Sequence, residues 1–306
     1  MMKLIIHAGT HKTGSTSLQV FLRKAEGSLR EQGVLVPQAG RPEGFSYNVT
    51  CGHHVLAWYL RGKWEVTTDE AWRALRAEVE AWTGDRVVVS AEDFQSLSAE
   101  QVAAVQSYVP GCEVHVVMYV RNPLDYMLSS YKQRVKMGTW AAPLRVYVEE
   151  FGGRINYLDL VERWASGLGQ DRVHVRLFDQ VKRDPGLEAD FCQVIGVDFE
   201  PLRGFVDKPA NVSPPDHQIE MMRRLNRLTW WATEEQRRFG WAAQMRRTLQ
   251  KAGAKGALVR AITGIGLPDA LVSHAEIDRI RDLVSHWLEP FLDRYVAPED
   301  RDLLRF

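Results

Sequence analysis

The sequence predicts an α/β fold: a mainly parallel sheet flanked by helices, with a helical C-terminal extension. Three observations carry this. Apolar runs at Leu4-Ile5-Ile6, Val87-Val88-Val89 and Val114 to Val120 read as buried strands, with Val173-His174-Val175-Arg176-Leu177 as a further strand. Amphipathic helical segments separate them, as parallel strands require. After Val212 the strand signal stops, Pro214-Pro215 breaks the chain, and only helical patterning follows. The expected division is therefore a 1–213 α/β domain and a 214–306 helical extension.

Each element has a local reason. Leu4-Ile5-Ile6 runs into the loop Gly9 to Gly14, then a helix with Leu18, Phe21, Leu22, Ala25 and Leu29 on one face, stopping at Gly33. A looser stretch carries Cys51-Gly52-His53-His54. Trp72, Leu75, Val79 and Trp82 mark a second helix, closed by Gly84. The Val87–Val89 strand ends at Ser90-Ala91-Glu92-Asp93, and Ser98 with Gln101 forms a capping box for the next helix. Val114 to Val120 leads directly into Arg121-Asn122-Pro123 and a helix. Ile155, Leu158, Val161, Trp164 and Leu168 predict another, stopped by Gly169. Asp184-Pro185 predicts a helix start, with Asp as cap and Pro in the first turn. The last long helix starts at a capping box Ser273/Glu276 and turns Ile277, Ile280, Val284, Trp287 and Phe291 inward.

Composition limits the function. With 306 residues, 45% hydrophobic and 25% charged, the chain is globular. Lys+Arg and Asp+Glu balance at 39 each, so no global field holds nucleic acid and any anion site is local. Cys51, Cys112 and Cys192 are far apart and odd in number, which predicts free thiols in a reducing compartment rather than disulfides or a zinc site. The apolar run at the N-terminus is too short for a signal peptide, and no stretch approaches a membrane span. The expectation is a cytoplasmic protein without a transmembrane segment; oligomeric state has no sequence signal.

Strand, glycine-containing loop and helix is an arrangement that binds phosphate, because backbone N–H groups and the helix N-terminus converge there. Gly9 and Gly14 have the glycine separation of G-x-x-x-x-G-K-[ST], but Ser15 follows the second glycine and Lys12 lies inside the loop. Ser15, Thr16 and Ser17 add hydroxyls at the helix start. Lys12 is thus placed to reach an oxygen beyond a single 5′-phosphate. The plain alternative is a Gly/Ser/Thr-rich turn with a solvated lysine.

His11-Lys12-Thr13-Gly14-Ser15-Thr16 after a strand resembles the 5′-phosphosulfate loop of sulfotransferases that use 3′-phosphoadenosine 5′-phosphosulfate (PAPS). A second motif adds to this. Arg121 stands at a strand end, where parallel sheets gather ligand groups, and its planar guanidinium suits a terminal phosphate. Ser129, or Ser130 if the helix is rotated, follows about two helical turns on. Arginine, Asn-Pro and a serine eight residues after the arginine is similar to the family's 3′-phosphate site; the alternative is an Arg that caps a helix or pairs with Asp125. Asn156-Tyr157 through Trp164, the strand Val173 to Asp179, and Asp184-Pro185 to Ile195-Gly196 resemble bacterial members. The resemblance covers about residues 3–213. It implies a P-loop NTPase-like fold, PAPS as donor, 3′-phosphoadenosine 5′-phosphate (PAP) as product, and no metal. Lys12 would be the catalytic cation. His11, Lys12, Thr13, Gly14, Ser15, Thr16, Ser17, Arg121 and Ser129 would hold the nucleotide; the segment Lys208 to Ser213 is either a closure over it, with Lys208 as a contact, or, given its proline, a plain linker.

Such a transfer needs a base for the acceptor's proton. Glu92 stands where some members of the family carry a catalytic histidine, and His53-His54 where carbohydrate-modifying members carry a glutamate. The types are interchanged, so Glu92, His53 and His54 all stay open. Val87 to Asp93 also resembles the magnesium-binding strand end of a P-loop kinase, which keeps an ATP- and Mg-dependent small-molecule kinase as one alternative; a non-catalytic nucleotide-binding or interaction protein is another. Between His217 and Arg260 ten Lys/Arg face three acidic residues, with Trp230, Trp231 and Trp241 interleaved. That stretch predicts contact with an acidic glycan or a membrane surface bearing a lipid-linked acceptor, or else a solvated helix face. The acceptor itself, a small molecule, glycan or glycolipid, is not legible.

Overall fold

The structure, a computed structural model, describes residues 1–207, 214–230, 240, 243–244 and 271–306. It opens with β1 (Met2–His7), α1 (Ser15–Lys24), α2 (Glu26–Glu31) and β2 (Val34–Leu35). There follow α3 (Tyr47–Thr50), α4 (His54–Arg61), α5 (Glu70–Glu80), β3 (Arg86–Ser90) and α6 (Ala99–Tyr108). Next come β4 (Cys112–Val120), α7 (Pro123–Met137), α8 (Leu144–Phe151), α9 (Tyr157–Leu168) and β5 (Val173–Leu177). The rest are α10 (Phe178–Val181), α11 (Leu187–Val194), α12 (Asp216–Leu228) and α13 (His274–Tyr295). The protein is α/β, and its five strands form one parallel sheet in the order β2-β3-β1-β4-β5.

The chain divides into two compact units. The first comprises Met1–Arg121, Tyr157–Lys208 and Pro290–Leu303 and holds the whole sheet. Its strands alternate sides with a period of two. Ile5, Val88, Val117 and Tyr119 join one buried cluster with Leu18, Phe21 and Leu22 of α1 and Phe191 of α11. Leu4, Ile6, Val87, Val89, Val114 and Val116 are also fully buried, so both faces of the sheet are covered, as a parallel sheet requires. Arg86 ties the strand start to neighbouring loops, donating to the Gln32, Ile195 and Gly196 carbonyls.

The second unit comprises Asn122–Asn156, Pro209–Glu289 and Leu304–Phe306. Tyr131, Trp140, Tyr147 and Phe151 of α7, α8 and their connection pack ring against ring. Asn226 of α12 donates to the Val135 and Trp140 carbonyls, capping the end of α7. The buried Arg223 pairs with Glu220 and donates to the Ala141 carbonyl.

Several local expectations shift. The first helix is two, α1 and α2, broken at Ala25. Its apolar stripe still continues, since Ala25 N–H donates to Phe21 and Leu29 N–H to Ala25. The two-residue strand β2 was too short to show a pattern. Asp184 and Pro185 do not start α11: Asp184 N–H donates to Gln180 and Gly186 N–H to Val181, closing the preceding turn. Gly186, with a φ of 103°, is the actual N-cap. The Ser98/Gln101 capping box of α6 is present in full. At α13, Ser273 bonds the Glu276 carboxylate through both its N–H and its hydroxyl. Among the described residues no helix is long and apolar enough to cross a membrane.

Candidate active site

The connections give the site its place. From β1 the chain crosses to β2 on one side of the sheet; from β4 it crosses to β5 on the other. The carboxyl ends of β1 and β4 therefore flank a topological switch point, where open α/β sheets bind ligands. The Gly9–Gly14 loop leaves β1 there, and Arg121 leaves β4.

Loop shape follows from three residues with positive φ: Gly9 at 91°, Lys12 at 69° and Gly14 at 79°. Lys12 is the costly one, since a side chain disfavours this region. A Cβ on Gly9 would sit 3.5 Å from the Cα and Cβ of Glu92, so the loop lies against the end of β3. The loop is pinned by its own hydroxyls. Thr13 Oγ1 donates to the Thr10 carbonyl at 2.6 Å and Ser15 Oγ to the same carbonyl at 3.2 Å. Thr10 Oγ1 donates to the Tyr119 carbonyl of β4 at 2.9 Å. Gly14 offers α1 no side-chain cap, so the amides of Ser15, Thr16 and Ser17 open its N-terminus toward the loop. Thr16 is exposed there. The Ser17 hydroxyl instead donates to the buried Glu188 at 2.6 Å, which directs it away from an anion.

Arg121 lies against this loop. Its Nη1 donates to the Lys12 carbonyl at 3.5 Å, its Nε is 3.3 Å from Asp179 Oδ1, and its guanidinium stands 5.6 Å from the Phe178 ring centroid. Asp179, just after β5, is thus an ion partner of Arg121. Ser129 belongs to α7 in the second unit, where the adjacent Ser130 shares a 2.7 Å hydrogen bond with the Tyr147 hydroxyl.

The three candidate bases separate clearly. Glu92, directly after β3, accepts from His11 Nδ1 at 3.0 Å, and the two side chains are 35% and 42% exposed. Burial pushes its carboxyl up. The His11 hydrogen bond and the electrostatic interactions with His11, His54 and Lys12 outweigh this and hold it below the usual carboxylate range. His53 is fully buried, with both ring nitrogens committed. Nδ1 accepts from Ser90 N–H at 3.0 Å and Nε2 donates to the Pro37 carbonyl at 2.9 Å. Burial lowers its pKa to about 4, so it stays neutral and ties β3 to the preceding loop. His54 is nearly buried and stacks on Trp58 at 5.7 Å. Burial lowers its pKa against the pull of Glu92 and Asp93.

Asp93 has cationic partners. Arg61 lies 2.5 Å and Lys63 2.7 Å from its Oδ1, and the Trp58 indole donates to Oδ2 at 2.8 Å. Sequence reasoning missed these partners, although His54, Trp58 and Arg61 share one face of α4 at i, i+4, i+7. It also missed Asp179 as partner of Arg121, and Gln95, whose Oε1 accepts the His11 N–H at 3.3 Å. Lys208 and most of 217–260, with Trp231 and Trp241, lie outside the described residues. Within that stretch Arg223 and Arg224 both pair with Glu220, while Trp230 is exposed. Among the described residues no group of three His, Cys, Asp or Glu side chains could hold a metal ion.

No known protein-family profile matches the chain. An uncharacterised protein of Archaeoglobus fulgidus is 26% identical over 144 residues, 46% of this chain and 38% of that protein. The match thus spans well under half of that relative's length. Two solved structures are similar. A sulfotransferase from Alicyclobacillus acidocaldarius has 18% identity and a TM-score of 0.45, with 87% of this chain and 98% of that one covered. The sulfotransferase domain from the curacin biosynthetic pathway has 13% identity and a TM-score of 0.40, with 94% and 97% covered.

Proposed function

We propose that this chain transfers a sulfuryl group from PAPS to an acceptor hydroxyl or amine. One observation carries the reading. At the β1–β4 switch point the Lys12 loop, the Arg121 guanidinium and the ionised Glu92 with its His11 partner are linked contact by contact. The donor, when bound, supplies an activated sulfuryl group. The uncapped N-terminus of α1, with the Ser15 amide and the exposed Thr16 hydroxyl, suits its 5′-phosphate. Arg121 suits the ribose phosphate, with Ser129 and Lys208 as further proposed contacts, because a planar guanidinium matches phosphate oxygens. Lys12 places positive charge where negative charge develops on the leaving side. Glu92 takes the acceptor's proton on a carboxylate oxygen, and His11 orients that carboxylate through its 3.0 Å contact.

A magnesium-dependent kinase needs the Asp93 carboxylate for its metal. Arg61, Lys63 and the Trp58 indole already hold both its oxygens. The geometry therefore favours Glu92-assisted transfer without that ion.

Calorimetry with PAP, ADP and ATP, with and without EDTA, tests the reading. PAP is expected to bind more tightly than ADP, independently of EDTA. Arg121→Ala is expected to weaken PAP binding about 10- to 100-fold, the size of a charge-assisted hydrogen bond. Equal affinity for PAP and ADP would reject the assignment, and labelled donor with a panel of alcohols, phenols and sugars then reports turnover.

A further inference from the structure

We infer that the acceptor is an aryl alcohol, a hydroxyl carried on a flat aromatic ring, and that Phe45, Trp58 and Trp64 form its seat. This rests on the sulfuryl-transfer reading and narrows it to a substrate class.

The seat is an aromatic cluster in which Phe45 and Trp64 are open to solvent and Trp58 is buried beneath them. Phe45 and Trp58 have ring centroids 5.6 Å apart at 54°, Trp58 and Trp64 6.0 Å apart at 48°, and Phe45 and Trp64 6.5 Å apart at 79°. Trp64 is 68% exposed and Phe45 47%. Clustered large aromatics left open in this way mark a binding surface rather than a core. The backbone adds a second sign. Trp64 and Glu65 have φ values of 56° and 57°, a conformation that costs energy for any residue with a side chain. The exposed indole thus stands on a turn of two successive residues in this region.

The cluster is continuous with the reacting centre. Trp58 donates to Asp93, the neighbour of Glu92 in the chain, and stacks on His54, which interacts electrostatically with Glu92. A ring laid on Phe45 and Trp64 is therefore joined to the Glu92 strand end through the buried Trp58.

Two arguments choose an aryl ring over a sugar. Rings tilted against each other enclose a flat π-system through edge-to-face contacts. A sugar is instead read by hydrogen bonds to its hydroxyls, and the polar groups edging this cluster, Asp93, Arg61 and Lys63, are already joined to one another. The base agrees. A carboxylate held below its usual range is a weak proton acceptor, and a phenolic hydroxyl, with a pKa of about 10, is far easier for it than an alkyl alcohol. The reaction balances. The aryl O–H proton passes to Glu92 and an aryl O–S bond forms. The S–O bond to the donor phosphate breaks, its electron pair leaving on that phosphate.

The test is calorimetric titration of naphthol and its fully saturated counterpart, decahydronaphthol, into the full-length protein with and without PAP. Naphthol is expected to bind more tightly than the saturated alcohol. Trp64→Ala and Phe45→Ala, both exposed sites, are each expected to weaken naphthol about tenfold with PAP affinity unchanged. Equal binding of the two alcohols, or naphthol affinity untouched in both variants, overturns the inference while PAP binding stands. Failure of PAP to bind the wild-type protein is a separate result and overturns the transfer reading beneath it.

Discussion

Glu92 shows how one residue's neighbours set its chemistry. Burial raises its pKa, yet its interactions with His11, His54 and Lys12 hold it below the ordinary carboxylate value. Its folded pKa lies below the ordinary value, so it remains a proton acceptor as pH falls from neutrality into the usual carboxylate range. Its contribution to kcat/KM should accordingly show no acid limb until below that range. Glu92→Gln keeps an oxygen for the His11 contact and removes the proton acceptor. Turnover should fall about 10²- to 10⁴-fold with the thermal midpoint little changed; an unaltered kcat would move the base elsewhere. Lys12 belongs to the same scale. It sits in a strained loop conformation beside Arg121 and Glu92, and in the proposed transfer its charge would count most late in the reaction. Lys12→Ala should lower kcat about 10²- to 10³-fold and PAP affinity much less, as steady-state rates against calorimetry would show. Equal losses in both would assign Lys12 to ground-state binding instead.

Among the elements, the junction of β1, its loop and α1 is the most demanding. Gly14 combines a φ of 79° with a neighbour, Leu187 Cδ2, only 2.6 Å from where a Cβ would stand. Gly14→Ala should therefore cost about 1–3 kcal/mol in urea unfolding and weaken PAP binding, since the helix N-terminus moves with it. A stable variant with intact PAP binding would show that the loop tolerates a side chain. This junction was legible in the sequence because glycine spacing, strand and helix period are all local. The four long strands and the α6 capping box were legible for the same reason. What the sequence could not show was set by tertiary pairing. Val34–Leu35 becomes a strand only by lying beside β3. Asp184-Pro185 has the composition of a helix start but is used to finish the turn before it. The base was ambiguous among Glu92, His53 and His54 because residue type alone fits all three. The fold fills both nitrogens of His53 and leaves Glu92 half open beside His11, which is why Glu92 is the base proposed.

At the scale of the whole molecule, the core of the first unit contains histidines that folding keeps neutral. His7, at the end of β1, donates or accepts at 2.7 Å with Ser90 Oγ and packs edge-on to Tyr119 and Phe191. Burial lowers the pKa of both His7 and His53 from 6.5 to about 4. Their unfolded forms bind protons below about 6.5 while their folded forms do not, so the unfolded state gains relative to the folded one as pH drops. Stability is therefore full above about pH 6.5, falls between 6.5 and 4, and gains no further loss from these two groups below that. Each contributes a slope of up to ~1.4 kcal/mol per pH unit across that window. The carboxylates held low by their partners, Glu92, Asp93 and Glu220 among them, act in a more acid window and with a separate limb. His7→Asn leaves a polar atom for Ser90 and removes one titrating ring. The variant is expected to be less stable at neutral pH because it packs less well. Its unfolding free energy, measured by urea denaturation at successive pH values, should decline between pH 6.5 and 4 with a slope shallower by about 1.4 kcal/mol per pH unit. A variant whose slope matches the wild type would mean that the acid sensitivity of the fold originates outside β1.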